Sequence, residues 1–165
     1  MLSSSRRLLH HLIPRRPARR AQDLPPLPVD TVIHSTGTST EKKSVFQAHA
    51  VRVRSVEDAT LALQHILALK KVHKATHNII AYRISMPEPC EGSDCDGEPP
   101  AGKNLLALLR KLDVQDVLVV VTRWYGGVPM GPDRFRAINT AGKEALGLGE
   151  FTAVNATKKY PKRRQ

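Results

Sequence analysis

Three groups of residues have the types and spacing to bind or react. The first is Arg123-Trp124-Tyr125-Gly126-Gly127, which follows the apolar run Val117–Val121 and leads to Gly131-Pro132-Asp133-Arg134. Arginine and aromatic side chains supply large contact area at low entropic cost. Two adjacent glycines let a ligand backbone or phosphate come close, and N–H groups at a helix start behind Pro132 favour anions. In the plainer alternative, Trp124 and Tyr125 pack on a sheet edge and the glycines only satisfy a turn. The second group is Asp94, Asp96 and Glu98. These carboxylates belong to a solvated loop turning at Gly97, or they pair with Arg123 or His77 and order both loops. A calcium loop is excluded, because its twelfth position is the apolar Leu105. The third group is His73, His77 and Asn78. Histidines four apart can share a helical face toward a metal. No Glu stands between them in the H-E-x-x-H manner and the helix is expected to end there, so both are read as structural histidines, with Asn78 capping a strand entry. Cys90 and Cys95 lack the second pair that a zinc site needs. No serine sits in a G-x-S-x-G elbow. The reading is therefore no catalytic residue, no metal and no cofactor.

The elements that must position these residues follow from periodicity. Val117–Val121 is a continuous apolar run, expected to be a strand buried on both faces, spanning Asp116 to Thr122. Ser44–Val53 and Asn78–Ile84 read as two more long strands. Ser55 is an N-cap with Asp58 three residues on, opening a helix whose stripe of Ala59, Leu63, Ile66, Leu67 and Lys70 runs to about Lys71. Pro87–Gly102 reads as an acidic Pro/Gly loop. Lys103–Leu112 is a short amphipathic helix, and Pro132–Leu146 the last helix, ended by Gly147 and Gly149. Phe151–Ala156 is read as a final strand. Strands alternating with helices point to a compact α/β (α+β) two-layer domain that begins near Ile33.

The net charge of +11 over 165 residues looks at first like a nucleic-acid signature. Residues 1–22 hold six arginines and no acid, and the 158–165 tail holds five basic residues and no acid. These eleven are the whole excess of 26 basic over 15 acidic residues. The segment between is formally neutral, so any general attraction to RNA phosphate is assigned to the ends. The organisation expected is a basic, Pro-rich tail or targeting segment (1–30), one domain (31–157) and a basic tail (158–165). The acid-free start, with Leu8, Leu9, Leu12 and Ile13 among arginines, fits either a mitochondrial presequence or a disordered tail. No apolar run approaches the ~20 residues of a membrane span. Two cysteines in one polar loop imply no disulfide framework and fit a reducing compartment.

Three blocks stand in order: His73-Lys74-Ala75-Thr76-His77-Asn78-Ile79-Ile80-Ala81-Tyr82-Arg83, Asp96-Gly97-Glu98, and Val119-Val120-Val121-Thr122-Arg123-Trp124-Tyr125-Gly126-Gly127 running on to Gly131-Pro132-Asp133-Arg134-Phe135. Together they resemble the N-terminal domain of the YigZ/IMPACT family, closest to its eukaryotic branch, over about Ser44–Leu146. The resemblance implies a fold similar to domain 2 of ribosomal protein S5, with roughly four strands and helices on one face. It implies a regulator of translation in the amino-acid starvation (integrated stress) response. Partners implied are the activator protein of the general amino-acid-control kinase, the ribosome as an alternative, and actin; the compartment implied is the cytoplasm, with mitochondria as the alternative through residues 1–22. Eukaryotic members carry an RWD domain where this sequence has residues 1–30, and Cys95 replaces the first Asp of the usual Asp-Asp-Gly-Glu. The candidate binding surface is His77, Asn78, Asp94, Asp96, Glu98, Arg123, Trp124, Tyr125, Gly126, Gly127 and Arg134.

Overall fold

In the computed structural model, residues 20–152 are described. Three long strands make the centre: β3 (Ser44–Arg52), β4 (His77–Ile84) and β6 (Val117–Trp124). Short β1 (Ile33–Ser35) and β2 (Ser39–Glu41) both pair with the outer side of β3, and β5 (Cys90–Asp94) pairs with β4. The order is β1-β3-β6-β4-β5, with β2 beside β3 and every pairing antiparallel. The central β6 is buried from Val117 to Arg123, as a run without polar alternation requires when both faces are covered.

Side chains alternate between the faces. Phe46, Ala48, Ala50, Ile79, Ala81, Val117, Val119 and Val121 share one core. Helices α2 (Ala101–Lys111) and α3 (Asp133–Leu148) complete it with Leu105, Leu109, Ile138 and Leu146. Val51, Ile80, Tyr82, Leu118 and Val120 share the other, with Ala59, Leu63 and Ile66 of α1 (Val56–Leu67). The α+β class holds, but two particulars are corrected. The sheet has six strands, not about four. Helices lie on both faces, not on one, because even and odd positions of β6 are equally apolar and each face needs a cover. Strand β5 falls inside the expected Pro87–Gly102 loop; its Cys-Glu-Gly-Ser-Asp sequence has no β-branched residue, and pairing with β4 makes it a strand.

Helix boundaries follow local chemistry. Ser55 Oγ accepts from the Asp58 N–H at 3.0 Å, and Asp58 Oδ2 accepts from the Arg54 N–H at 3.2 Å. Helix α1 stops at Leu67 rather than near Lys71, and a 3-10 turn, Val72–Lys74, follows. Gly147 lies inside α3; only Gly149 follows that helix. Phe151–Thr152 is not a strand, and the rest of the expected final strand, like residues 1–19 and the basic C-terminal tail, lies outside the described residues. Residues 20–30, grouped by sequence with the basic tail, run along α1: Leu27 packs on the core, and the Pro25 carbonyl lies 2.7 Å from His65 Nε2. At one corner, Phe151 meets the His34 ring edge-on at 5.9 Å and carries the Arg52 guanidinium 5.0 Å above it.

Two predictions follow from this packing. Leu105 is fully buried between α2 and the sheet, so Leu105→Ala costs about 2–5 kcal/mol through lost burial and a residual cavity, read as a lower urea midpoint. His49 is buried on β3 with only Ser35 Oγ, 2.8 Å from Nδ1, as partner, and its Nε2 has none. Burial pushes its pKa from 6.5 down to about 4. The unfolded chain therefore takes up this proton first as pH falls, so stability is lost between about pH 6.5 and 4, by roughly 3 kcal/mol in all. Urea titrations across that range measure the slope, and it flattens in His49→Leu.

Candidate functional site

One end of the sheet, where β3 and β4 begin and β6 ends, gathers most of the predicted residues. The Asp94–Glu98 turn folds over it. The Asp94 carboxylate accepts from the Asp96 N–H at 2.6 Å, and Asp96 Oδ2 accepts from the Asn78 N–H at 2.7 Å. The Asp96 carbonyl lies 2.6 Å from His77 Nδ1. Asn78 Oδ1 accepts from the Thr122 hydroxyl at 2.8 Å, tying β4 to β6. These bonds carry Glu98 inward, where its side chain is only 6 % exposed.

Glu98 is the hub. Its Oε1 accepts from Arg123 Nη1 at 2.5 Å and faces His77 Nε2 at 3.2 Å. Its Oε2 lies 2.9 Å from Arg134 Nε on the first turn of α3. That last contact is close in distance but the N–H does not point at the oxygen, so it is charge pairing rather than a directed hydrogen bond. Arg123 is 4 % exposed. Its Nη2 donates to Ser44 Oγ at 3.2 Å, and its guanidinium lies 5.7 Å from the Phe46 ring and 5.4 Å from the Tyr125 ring. Four separate segments thus converge on one carboxylate. Alternation along β6 then turns the next residue, Trp124, to the opposite face, where its indole Nε1 donates to the Lys71 carbonyl at 3.1 Å.

The rim itself is clamped from both sides. The Tyr125 N–H donates to Thr76 Oγ1 at 2.9 Å, and the Thr76 N–H to the Arg123 carbonyl at 3.0 Å. At Gly126 a Cβ would stand 1.9 Å from the Lys43 carbonyl oxygen, so the close approach reserved by this glycine is used by the chain's own β2–β3 turn. Gly127 is left-handed, at φ +87°, in open space. Tyr125 is 47 % exposed, and Gly126, Gly127 and Pro129 are exposed with it. At the start of α3 the first turn already holds a carboxylate, Asp133, bound to Lys42 and Arg136.

The structure therefore brings His77, Glu98, Arg123 and Arg134 together directly, with Asn78, Asp94 and Asp96 as the frame. Of the two sequence readings of the acidic cluster, the ordered pairing with Arg123 and His77 is the observed one. Trp124 is half-buried against the sheet as the plainer alternative had it, and Tyr125 stands out from the rim. His73 and His77 do not share a helical face: His73 lies in the 3-10 turn with Nδ1 2.8 Å from the Lys70 carbonyl, while His77 opens β4. Sequence reasoning missed Ser44 and Phe46, whose roles depend on the 79-residue separation that β3–β6 pairing closes. It also missed Lys70, Lys71 and Lys74, which line an open groove of about 550 Å³ with Thr38, Val45 and Trp124. In sequence these lysines read as the polar end of a helix.

Comparison with known proteins agrees with this geometry. The family model described as the Impact N-terminal domain matches residues 42–146. The chain is similar to "Protein IMPACT homolog" of Schizosaccharomyces pombe, 46% identical over 111 residues, covering 66% of this chain and 40% of the relative. It is similar to "Protein IMPACT" of Oryctolagus cuniculus at 39% identity over 142 residues, covering 84% of this chain and 43% of that protein. Matched segments thus span about two fifths of those relatives' length. Among solved structures, one titled "Structure of two-domain translational regulator Yih1 reveals a possible mechanism of action" superposes with a TM-score of 0.53 at 36% identity, covering 81% of this chain and 54% of that one. A second, a hypothetical protein, reaches a TM-score of 0.61 at 28% identity over 73% of this chain and 59% of that one.

Removing Glu98 leaves the Arg123 charge buried without its counter-ion. Glu98→Ala is expected to cost about 3–5 kcal/mol in urea unfolding. The double replacement Glu98→Leu with Arg123→Met, which removes both charges, is expected to be less destabilised than the sum of its single variants.

Proposed function

Because the chain belongs to the Impact N-terminal domain family, we propose that it is a non-catalytic, protein-binding module of translational control. The observation that carries this reading is the division of labour at the rim. Glu98, the buried acid of the site, is fully engaged by Arg123, Arg134 and His77, while Tyr125 to Gly127 are held out to solvent on a fixed loop. A buried carboxylate committed to cations is poorly placed to move protons. A clamped aromatic loop is well placed to dock. The names of the relatives support translation as the setting. Within it, we assign the general amino-acid-control response, with the kinase activator as the partner class and the cytoplasm as the compartment. A cleaved leader within residues 1–22 is the alternative, and sequencing the mature N-terminus from cells decides between them.

A second reading, RNA or ribosome binding, is favoured by one separate feature. Between α2 and α3 runs an open groove of about 540 Å³ lined by Asn104, Lys111, Arg136, Asn139, Thr140 and Lys143. Amide, hydroxyl and cationic donors of this kind suit a phosphate backbone.

The test is affinity capture with the tagged full chain and mass spectrometry of what it retains. Recovery of the kinase activator or other translation-control proteins is expected, resistant to nuclease. Tyr125→Ala is expected to weaken that capture by about 2 kcal/mol, roughly thirtyfold in affinity, while unfolding stability stays within about 0.5 kcal/mol because the side chain is exposed. Capture lost on nuclease treatment, or falling by orders of magnitude as salt rises through the physiological range, would favour the RNA reading instead.

A further inference from the structure

We propose that the groove floored by Trp124 and Val45 is a docking site for an acidic protein segment that carries an apolar side chain as its anchor. The proposal rests on the binding-module reading and names where such binding occurs and what chemistry it selects. Trp124 and Val45 stand opposite each other on paired strands, on the face that α1 covers. Helix α1 ends at Leu67, so the face beyond it is left without a helix. There the wall is mostly carbon, supplied by the indole, the valine and the lysine stems. Lys70, Lys71 and Lys74 are exposed at its border, and none has a carboxylate partner among the described residues. The domain as a whole is formally neutral between its basic ends. Three unpaired ammonium groups within five residues are therefore a local excess that an anionic partner would match.

The groove suits a polypeptide better than a nucleic acid. The Trp124 indole edge is tied by its N–H to the Lys71 carbonyl, which makes the half-buried ring a floor rather than a free stacking platform. The lysines cluster on one turn instead of tracking a backbone, and Thr38 is the sole neutral polar side chain in the lining. An apolar side chain can enter over Trp124 and Val45 while flanking carboxylates reach the lysines.

Trp124 is the single tryptophan of the chain, so its fluorescence reports this groove alone. The full chain is titrated with a synthetic peptide of about eight residues alternating glutamate and leucine. Saturable change in Trp124 emission is expected, weakened roughly tenfold or more by Lys70→Glu, Lys71→Glu and Lys74→Glu together, and similarly by replacing the peptide leucines with serine. The lysines are exposed, and circular dichroism verifies that the triple variant is folded. Equal binding by the triple variant overturns the proposal, as does no response to the leucine peptide. Tighter, lysine-dependent response to oligouridylate than to peptide also overturns it and makes the groove a nucleic-acid site. If the triple variant still captures the proteins retained by the natural sequence, this groove is refuted and the binding-module reading stands. If the natural sequence captures nothing, that reading fails independently of the peptide result.

Discussion

The buried carboxylate of Glu98 is the constraint on which this end of the molecule depends. An ionised acid leaves water only at a cost of several kcal/mol, and it stays inside only if cations and donors surround it. Arg123, His77 and Arg134 do so from β6, β4 and α3. The distances can be met at once only when the 94–98 turn, the central strands and the start of α3 occupy one arrangement. Such a pair need not add net stability over well-packed hydrophobic residues. Its contribution here is geometrical: it sets where β6 ends and hence where Tyr125 to Gly127 emerge.

The two-residue period of β6 then separates two tasks on adjacent positions. Arg123 points into the side covered by α2 and α3 and joins the ion cluster. Trp124 points to the side covered by α1 and reaches the Lys71 carbonyl. One strand therefore couples a sealed electrostatic centre to an accessible apolar surface, with no intervening flexible residue. Unequal helix cover makes this possible. Two helices spread across one face, whereas a single twelve-residue helix leaves the end of the other uncovered.

Much of this was legible in the amino-acid order, and the failures have identifiable causes. The long strands, the Ser55 cap and the last helix follow from periodicities and end signals that act locally. Strand β5 did not, because its identity depends on a neighbour: Glu91 bonds both Arg83 and Arg110, and nothing in its own composition favours extension. The second helical face was underestimated because a family likeness was allowed to outweigh the uniform hydrophobicity of Val117–Val121, which already required cover on both sides. At the site, charge types sufficed to connect Glu98-region carboxylates with Arg123 and His77. They could not reveal Ser44 or the lysine-bordered groove, since both arise from register across β3 and β6 and from where α1 stops.

The corner formed by His34, Arg52 and Phe151 has an architectural consequence. β1 and the segment after α3 meet there, beside the Arg52–Val117 pair, at the far end of β6 from Trp124. Eight residues of strand separate the two ends by roughly 25 Å. Flanking polypeptide can thus be attached, lengthened or exchanged at the hinge-side corner while the recognition edge remains unobstructed, a layout suited to reuse of one cassette in proteins of different composition.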